Sequence, residues 1–274
     1  MRKSVLSAAV AAALTVPTLA SAQTPAPAPA PAPSPFTGNI ALVSDYRFRG
    51  ITQTFGKPAF QGGFDYAHAS GVYLGNWNSN VSQGAGFPGG NLEMDFYGGW
   101  KKAFGDFGLD VGFIYYYYPG TDSPGSGVGA PTNFNTGAVA SGKVDNKEIY
   151  IGGTWKFLSL KYFWAIDDYF STPGTKNTNY IDLSGTYDFG GGWGLVGHIG
   201  RLDFKDQLDG NYTDWKLGVT KDLSGWVFGL TYVDTNAKGD CGAVLQTYCF
   251  LDTSGTKTKD AGKSTVVFSI SKTF

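Results

Sequence analysis

Two cysteines, two histidines and two methionines are all that 274 residues contain, and only 16% of them are charged. With so few sulfur and imidazole ligands, a structural zinc or a metal hydrolase has little to be built from. No G-x-S-x-G occurs, so the nucleophile elbow of the α/β-hydrolases is missing. The apolar run at residues 5–16 is shorter than the ~20 residues a membrane-spanning helix needs. There is no basic stripe with interleaved aromatics. Removing Arg2 and Lys3 from the 21 basic residues leaves 19 against 22 acidic ones, which argues against nucleic acid as a partner.

What the chain has in quantity is glycine and aromatics: 40 Gly, 20 Phe, 16 Tyr and 7 Trp. That composition reads as many strands joined by tight turns. At the N-terminus Arg2 and Lys3 precede the apolar run, and Ala20-Ser21-Ala22 has the small-x-small form of a signal peptidase site. Residues 1–22 are therefore expected to be a cleaved signal peptide. Residues 23–37 hold an Ala-Pro repeat that forms neither helix nor sheet and reads as a periplasmic tether. Cys241 and Cys249, close together in an exported chain, read as a disulfide across a loop. A metal site is the weaker alternative, because no His lies near.

From residue 38 to 274 the side chains alternate. Successive side chains of a strand point to opposite faces, so apolar residues recurring every second position mark strands. Twelve such segments follow one another, the first expected over 39–49 and the last ending at Phe274. The third places Tyr73, Trp77 and Val81 on one face. In the ninth, Trp193, Leu195 and Ile199 compete with Val196 and Leu202 for the outer side. Every second connection is short: Ser70-Gly71, Gly105-Asp106, Leu158-Ser159, 190–192 and Ser224-Gly225. Those between are longer, above all 119–144 and 235–261. Short turns at one rim and long loops at the other are the pattern of an outer-membrane barrel. The expected fold is all-β, an antiparallel up-and-down transmembrane β-barrel of about 12 strands.

In such a barrel the apolar face meets lipid and the other face a polar interior. All seven Trp are expected outward, with Trp100, Phe104, Phe157, Trp193, Trp215, Trp226 and Phe274 at the two membrane interfaces. The inward register gives a pore lining of Asp45, Arg47, Arg49, Asp65, Glu93, Asp95, Lys101, Asp110, Glu148, Lys156, Lys161, Asp182 and Lys216. Asp167, Asp188, Asp214 and Asp222 join them on the same face. Acidic groups outnumber basic ones, and rings of fixed charge decide which ions enter, so a weak cation preference is expected. The plainer alternative for these groups is that they pair across strands and plug the lumen. Twelve strands lie between the filled barrels of ~8 and the open channels of ~16. A narrow pore constricted by the loop at 119–144 is the working expectation.

The segments Ser44-Asp45-Tyr46-Arg47-Phe48-Arg49-Gly50-Ile51-Thr52-Gln53, Gly71-Val72-Tyr73-Leu74-Gly75-Asn76-Trp77-Asn78-Ser79-Asn80 and Leu92-Glu93-Met94-Asp95-Phe96-Tyr97-Gly98-Gly99-Trp100 resemble the hallmarks of the TorF family of proteobacterial porins. Thr52 stands where Ser is commoner, and Lys272, third from the end, where a hydrophobic residue is usual in closing strands. The resemblance implies an outer-membrane barrel proposed to conduct solutes, with the C-terminal strand as the contact for the barrel-assembly machinery.

Two motifs invite sharper readings. Gly192-Trp193-Gly194-Leu195-Val196-Gly197 matches a dinucleotide fingerprint, but it lies in a turn and a strand, with no helix after it. His68-Ala69-Ser70 suggests a lipid hydrolase, but the pair sits at a short turn with no third group to orient the imidazole. The expectation is a non-enzymatic outer-membrane channel without cofactors, passing small ions or solutes. The alternative is a non-conducting barrel with a filled lumen, acting as a structural or interaction protein.

Overall fold

The computed structural model describes residues 34–87, 89–121, 131–133, 138–139, 143–242, 246–252 and 254–274. The expected signal peptide and nearly all of the tether lie outside them, as does most of the 119–144 loop. Twelve strands form one closed antiparallel barrel. They are β1 (Phe36–Val43), β2 (Ala59–Ala67), β3 (Val72–Asn80), β4 (Leu92–Phe104), β5 (Phe107–Tyr117) and β6 (Asp145–Trp155). The ring continues with β7 (Leu158–Ala165), β8 (Asn179–Gly190), β9 (Trp193–Asp203), β10 (Tyr212–Leu223), β11 (Trp226–Thr235) and β12 (Thr265–Thr273). Each strand pairs with its neighbours in sequence, and β12 pairs with β1 to close the seam, Asn39 opposite Thr273 and Val43 opposite Ser269. β1 begins at Phe36, two residues ahead of the expected barrel boundary.

The hydrophobic distribution is that of a barrel turned inside out. Phe60, Phe64, Leu74, Phe113, Ile151, Leu183, Leu217 and Phe268 stand exposed on the outer face, while carboxylates such as Glu93, Glu148 and Asp214 are buried inside. Among the described residues no helix is long and apolar enough to cross a membrane. The outer wall of this barrel offers an apolar surface made by strands instead. Trp100, Phe104, Trp193, Trp226 and Phe274 ring its short-turn end, and Trp215 lies towards the other end of β10. Lys272 leaves its ammonium 5.0 Å from the Trp226 ring, so its stem lies along that apolar rim.

Three local expectations are corrected. β1 stops at Val43, and residues 44–58 leave the wall and turn into the lumen. In β3 the outer face belongs to Val72 and Leu74, 45% and 59% exposed. Tyr73 faces in to hydrogen-bond Asp110, and Trp77 faces in against Tyr46, so not every Trp is outward. The turn expected at Leu158-Ser159 is two residues earlier, at Lys156-Phe157, because Trp155 pairs directly with Leu158. Lys156 takes a positive φ of 53° there and sets its ammonium over the outward Trp155 ring, at 4.9 Å. It is a turn residue and not part of the inner wall. Phe157 shares that turn and is exposed. In β9, Trp193 and Ile199 take the outer face and Leu202 is buried.

Glycines on the inner wall give the tyrosines room to lie flat. Tyr97 lies over Gly75, Tyr150 over Gly112 and Tyr180 over Gly200, each on a neighbouring strand, where a Cβ would collide with the ring or its hydroxyl. Bulky aromatics thus hug the sheet instead of projecting across the barrel.

Candidate functional site in the barrel lumen

The lumen has two halves of different construction. Towards the long loops it is filled by residues 44–58. Arg47–Phe48 pairs with Ile51–Thr52, and the two residues between them, Arg49 and Gly50, have φ of 48° and 80°. Positive φ at both central positions is what a two-residue hairpin turn favours, and glycine at the second meets it without strain. Gly50 is also where the hairpin meets the far wall: a Cβ there would press on Asp214 and Thr235. Asp45 organises the hairpin from within, accepting from Arg47 Nε at 2.7 Å, Thr52 Oγ1 at 2.6 Å and Thr54 Oγ1 at 3.1 Å.

The hairpin is fastened on several sides. The Arg49 guanidinium donates to both carboxylate oxygens of Glu148 on β6, at 2.9 and 2.7 Å, and to the Tyr169 hydroxyl at 3.0 Å. Its face lies 4.2 Å from the Tyr180 ring. Bidentate, charge-assisted pairs of this kind are among the stronger polar contacts a protein makes. The Tyr46 hydroxyl donates to Glu93 on β4 at 3.0 Å, and the Tyr212 hydroxyl to the Arg49 carbonyl at 2.9 Å. Arg47 reaches the carbonyls of Ala261 and Lys263, both at 3.1 Å, and Thr52 N–H the carbonyl of Ala261 at 3.0 Å. The closing loop before β12 is thereby tied to the plug. That loop carries the Cys241–Cys249 disulfide and a small hairpin, Cys249–Leu251 with Thr258–Asp260.

Towards the short turns the lumen is wetter. Asp110 is flanked by Lys161 Nζ at 2.7 Å and the Tyr73 hydroxyl at 2.6 Å, and Tyr73 also meets the Tyr150 hydroxyl. Asp65 accepts from Tyr97 at 2.6 Å. Lys101 and Lys216 are exposed, Lys101 lying 5.2 Å from the Tyr73 ring. On the facing wall, Thr220, Gly229, Thr231, Ser269 and Ser271 leave the inner surface low. Asp188 and Asp222 accept backbone N–H groups of the rim turns at Gly190 and Gly225.

Between the halves sits His198. Its Nδ1 lies 3.0 Å from Asp182 and its Nε2 2.8 Å from Asp214, with Ser184 and Tyr180 alongside. Ser, His and Asp together suggest a nucleophilic triad, but the geometry opposes it. Both ring nitrogens face carboxylates, and the Ser184 hydroxyl already donates to Asp182 at 2.5 Å. The imidazole is a bridge across β8, β9 and β10, with no nitrogen left over to take a serine's proton. His68 and Ser70 meet at 2.8 Å in an exposed turn and have no carboxylate beside them among the described residues. Asp167, expected inward, is an exposed loop residue whose carboxyl Lys147, 3.0 Å away, holds below the usual range.

Of the expected lining, then, Asp45, Arg47, Arg49, Glu93, Asp95 and Glu148 belong to the plugged half. Asp65, Lys101, Asp110, Lys161 and Lys216 belong to the wet one, and Asp182 lies at their junction. A family model described as Gcw_chp, a bacterial protein of unknown function, matches residues 27–274. The chain belongs to that family. Among solved structures, this Gcw_chp member is similar to the KdgM porin, at 8% identity and a TM-score of 0.49, over 87% of this chain and 98% of that one. It is similar too to the NanC porin, at 9% identity and 0.46, over 87% and 98%. The toluene transporter TodX of P. putida aligns at 13% identity and 0.43, over 89% and 91%. No curated protein matches the sequence. At such scores these likenesses carry no weight for function, which is read below from the barrel's own residues.

Proposed function

We propose that this Gcw_chp protein is a porin-like channel of the bacterial outer membrane, passing small ions or solutes by diffusion. The observation that carries this reading is the polarity of the two faces: an apolar outer wall around a lumen lined by charge. A lipid-facing exterior and a water-bearing interior are what a membrane barrel needs. In that setting the short turns face the periplasm and the long loops the exterior. Trp100, Phe104, Phe157, Trp193, Trp215, Trp226 and Phe274 anchor the interfaces, and the closing strand is the contact for the assembly machinery. The resemblance of 44–53, 71–80 and 92–100 to TorF porins favours the same reading. A leader at 1–22 and a tether at 23–37 fit it, and the pinned histidine supports a non-enzymatic role.

The expected weak cation preference follows from the inner wall. Glu93, Asp95, Glu148 and Asp214 give the plugged half more acid than Arg47 and Arg49 supply in base. The second reading, a non-conducting interaction barrel, is favoured by the plug itself. Current across a planar bilayer holding the refolded protein separates the two. Discrete steps with a cation-biased reversal potential are expected; silence from a folded barrel would sink the channel and leave the interaction barrel.

A further inference from the structure

Residues 44–58 are seated by apolar and polar contacts together. Tyr46 and Ile51 join the buried cluster and Phe48 packs edge-on against Tyr116 and Phe170. Polar fastenings stand beside these: Tyr46 to Glu93, Arg49 to Glu148 and Tyr169, and Tyr212 to the Arg49 carbonyl. The apolar contacts are lost outright when water replaces the wall, and they favour the seated state. The polar ones exchange each bond for a bond to water, so their share of the cost of leaving is far below the strength of the bonds themselves. The Arg49–Glu148 pair is the fastening a single substitution removes. The two ends of the segment stay put. Ser44 is hydrogen-bonded to Phe268 on β12 through both its N–H (2.9 Å) and its hydroxyl (3.0 Å), and Ala59 begins β2. The part of this segment that crosses the lumen lies between those two anchors.

Charge is the second observation. The wall beneath the plug carries Glu93, Asp95, Glu148 and Asp214, all nearly inaccessible. Glu148 has Arg49 for its cation, and Asp214 has His198. Glu93 and Asp95 have no salt-bridge partner among the described residues. One oxygen of each, Glu93 Oε2 and Asp95 Oδ1, is buried with no hydrogen bond. In the wet half, by contrast, Asp110 is matched by Lys161, while Lys101 and Lys216 stand exposed. The charge a passing ion meets therefore depends on whether the plug is seated.

We infer that residues 44–58 are a gate latched by Arg49 on Glu148, and that the carboxylates they cover determine the channel's selectivity. The inference rests on the channel reading above. Seated, the gate closes the lumen and brings Arg49 into its acidic stretch, along with Arg47 already paired to the segment's own Asp45. Lifted, it removes Arg49 and returns Glu93, Asp95, Glu148 and Asp214 to water, a belt of carboxylates that favours cations. Opening and cation preference are one event.

The test compares wild type with Arg49→Gln, Glu148→Gln and a barrel whose residues 46–55 are replaced by a short Gly-Ser linker, all in planar bilayers under a salt gradient. Both point variants are expected to raise open probability at least about tenfold. Their reversal potentials should part: Arg49→Gln keeps the whole acidic belt and is the more cation-selective, while Glu148→Gln has lost one of its charges. Arg49→Lys, which keeps charge but loses the bidentate fork, is expected between wild type and Arg49→Gln, and serves if the glutamine variant does not fold. The gate is overturned if the linker variant conducts while the point variants stay closed like wild type; the channel reading then survives. It is overturned in its selectivity if the linker variant conducts without cation bias. Silence from a folded linker variant removes channel and gate together.

Discussion

The two halves of this lumen solve one problem differently. Both must place charged side chains inside a narrow β-barrel. The short-turn half uses pairs between wall residues, Asp110 with Lys161 and Asp65 with Tyr97, and leaves them partly wet. The long-loop half uses a separate piece of chain, whose Arg49 arrives from outside the wall to meet a glutamate almost completely shielded from solvent. Solvent screens and substitutes for the first kind of pair. For the second, while the segment is seated, no water stands ready to take the place of a missing partner. The difference teaches that the charge of a lumen cannot be read from its wall alone, because an inserted segment adds to it.

The comparison would be broken most directly by accessibility. With the native disulfide intact, Lys216→Cys is expected to react with a water-soluble thiol reagent at least about a hundredfold faster than Thr52→Cys, which reacts only through local opening; equal rates would mean that the halves are equally wet. Stability sharpens it next. Arg49→Ala leaves Glu148 buried without its cation and is expected to cost about 3–5 kcal/mol in urea unfolding of the folded barrel. Asp110→Asn, with water at hand, is expected to cost about 1–2 kcal/mol by the same assay. If the two losses were equal, the contrast between sealed and wet pairs would fail. The smallest effect is expected from Lys101→Ala, within about 0.5 kcal/mol, since its ammonium is exposed and makes only a ring contact.

How much of this the residues disclose depends on what repeats. The closed sheet was legible because a period of two and the parity of loop lengths recur around the whole ring. Lumen features do not recur. The hairpin at 44–58 hid inside a seemingly longer first strand, since Tyr46 and Phe48 go on alternating with Asp45, Arg47 and Arg49 after β1 has ended. β3 was assigned to the wrong face because both its faces carry large side chains, and only the partner of the Tyr73 hydroxyl decides between them. Lys156-Phe157 has no turn-forming residue to announce it, so the turn was placed too late. The partners of His198 are not legible in sequence, because its carboxylates lie on β8 and β10 and strand neighbours are invisible until the register of a glycine-rich strand is known.

The seam between β1 and β12 has a consequence for how the chain reaches this state. Gly38 and Phe274 exchange both backbone hydrogen bonds, Gly38 N–H to Phe274 O at 3.1 Å and Phe274 N–H to Gly38 O at 2.8 Å. These partners lie almost the whole length of the barrel apart in sequence. Until the last strand is translated, β1 has no second neighbour and waits as an unpaired edge, open to pairing with another chain. Closure of the ring therefore waits on the twelfth strand. A topology that closes on its most non-local contact folds slowly and is exposed to aggregation in the interval.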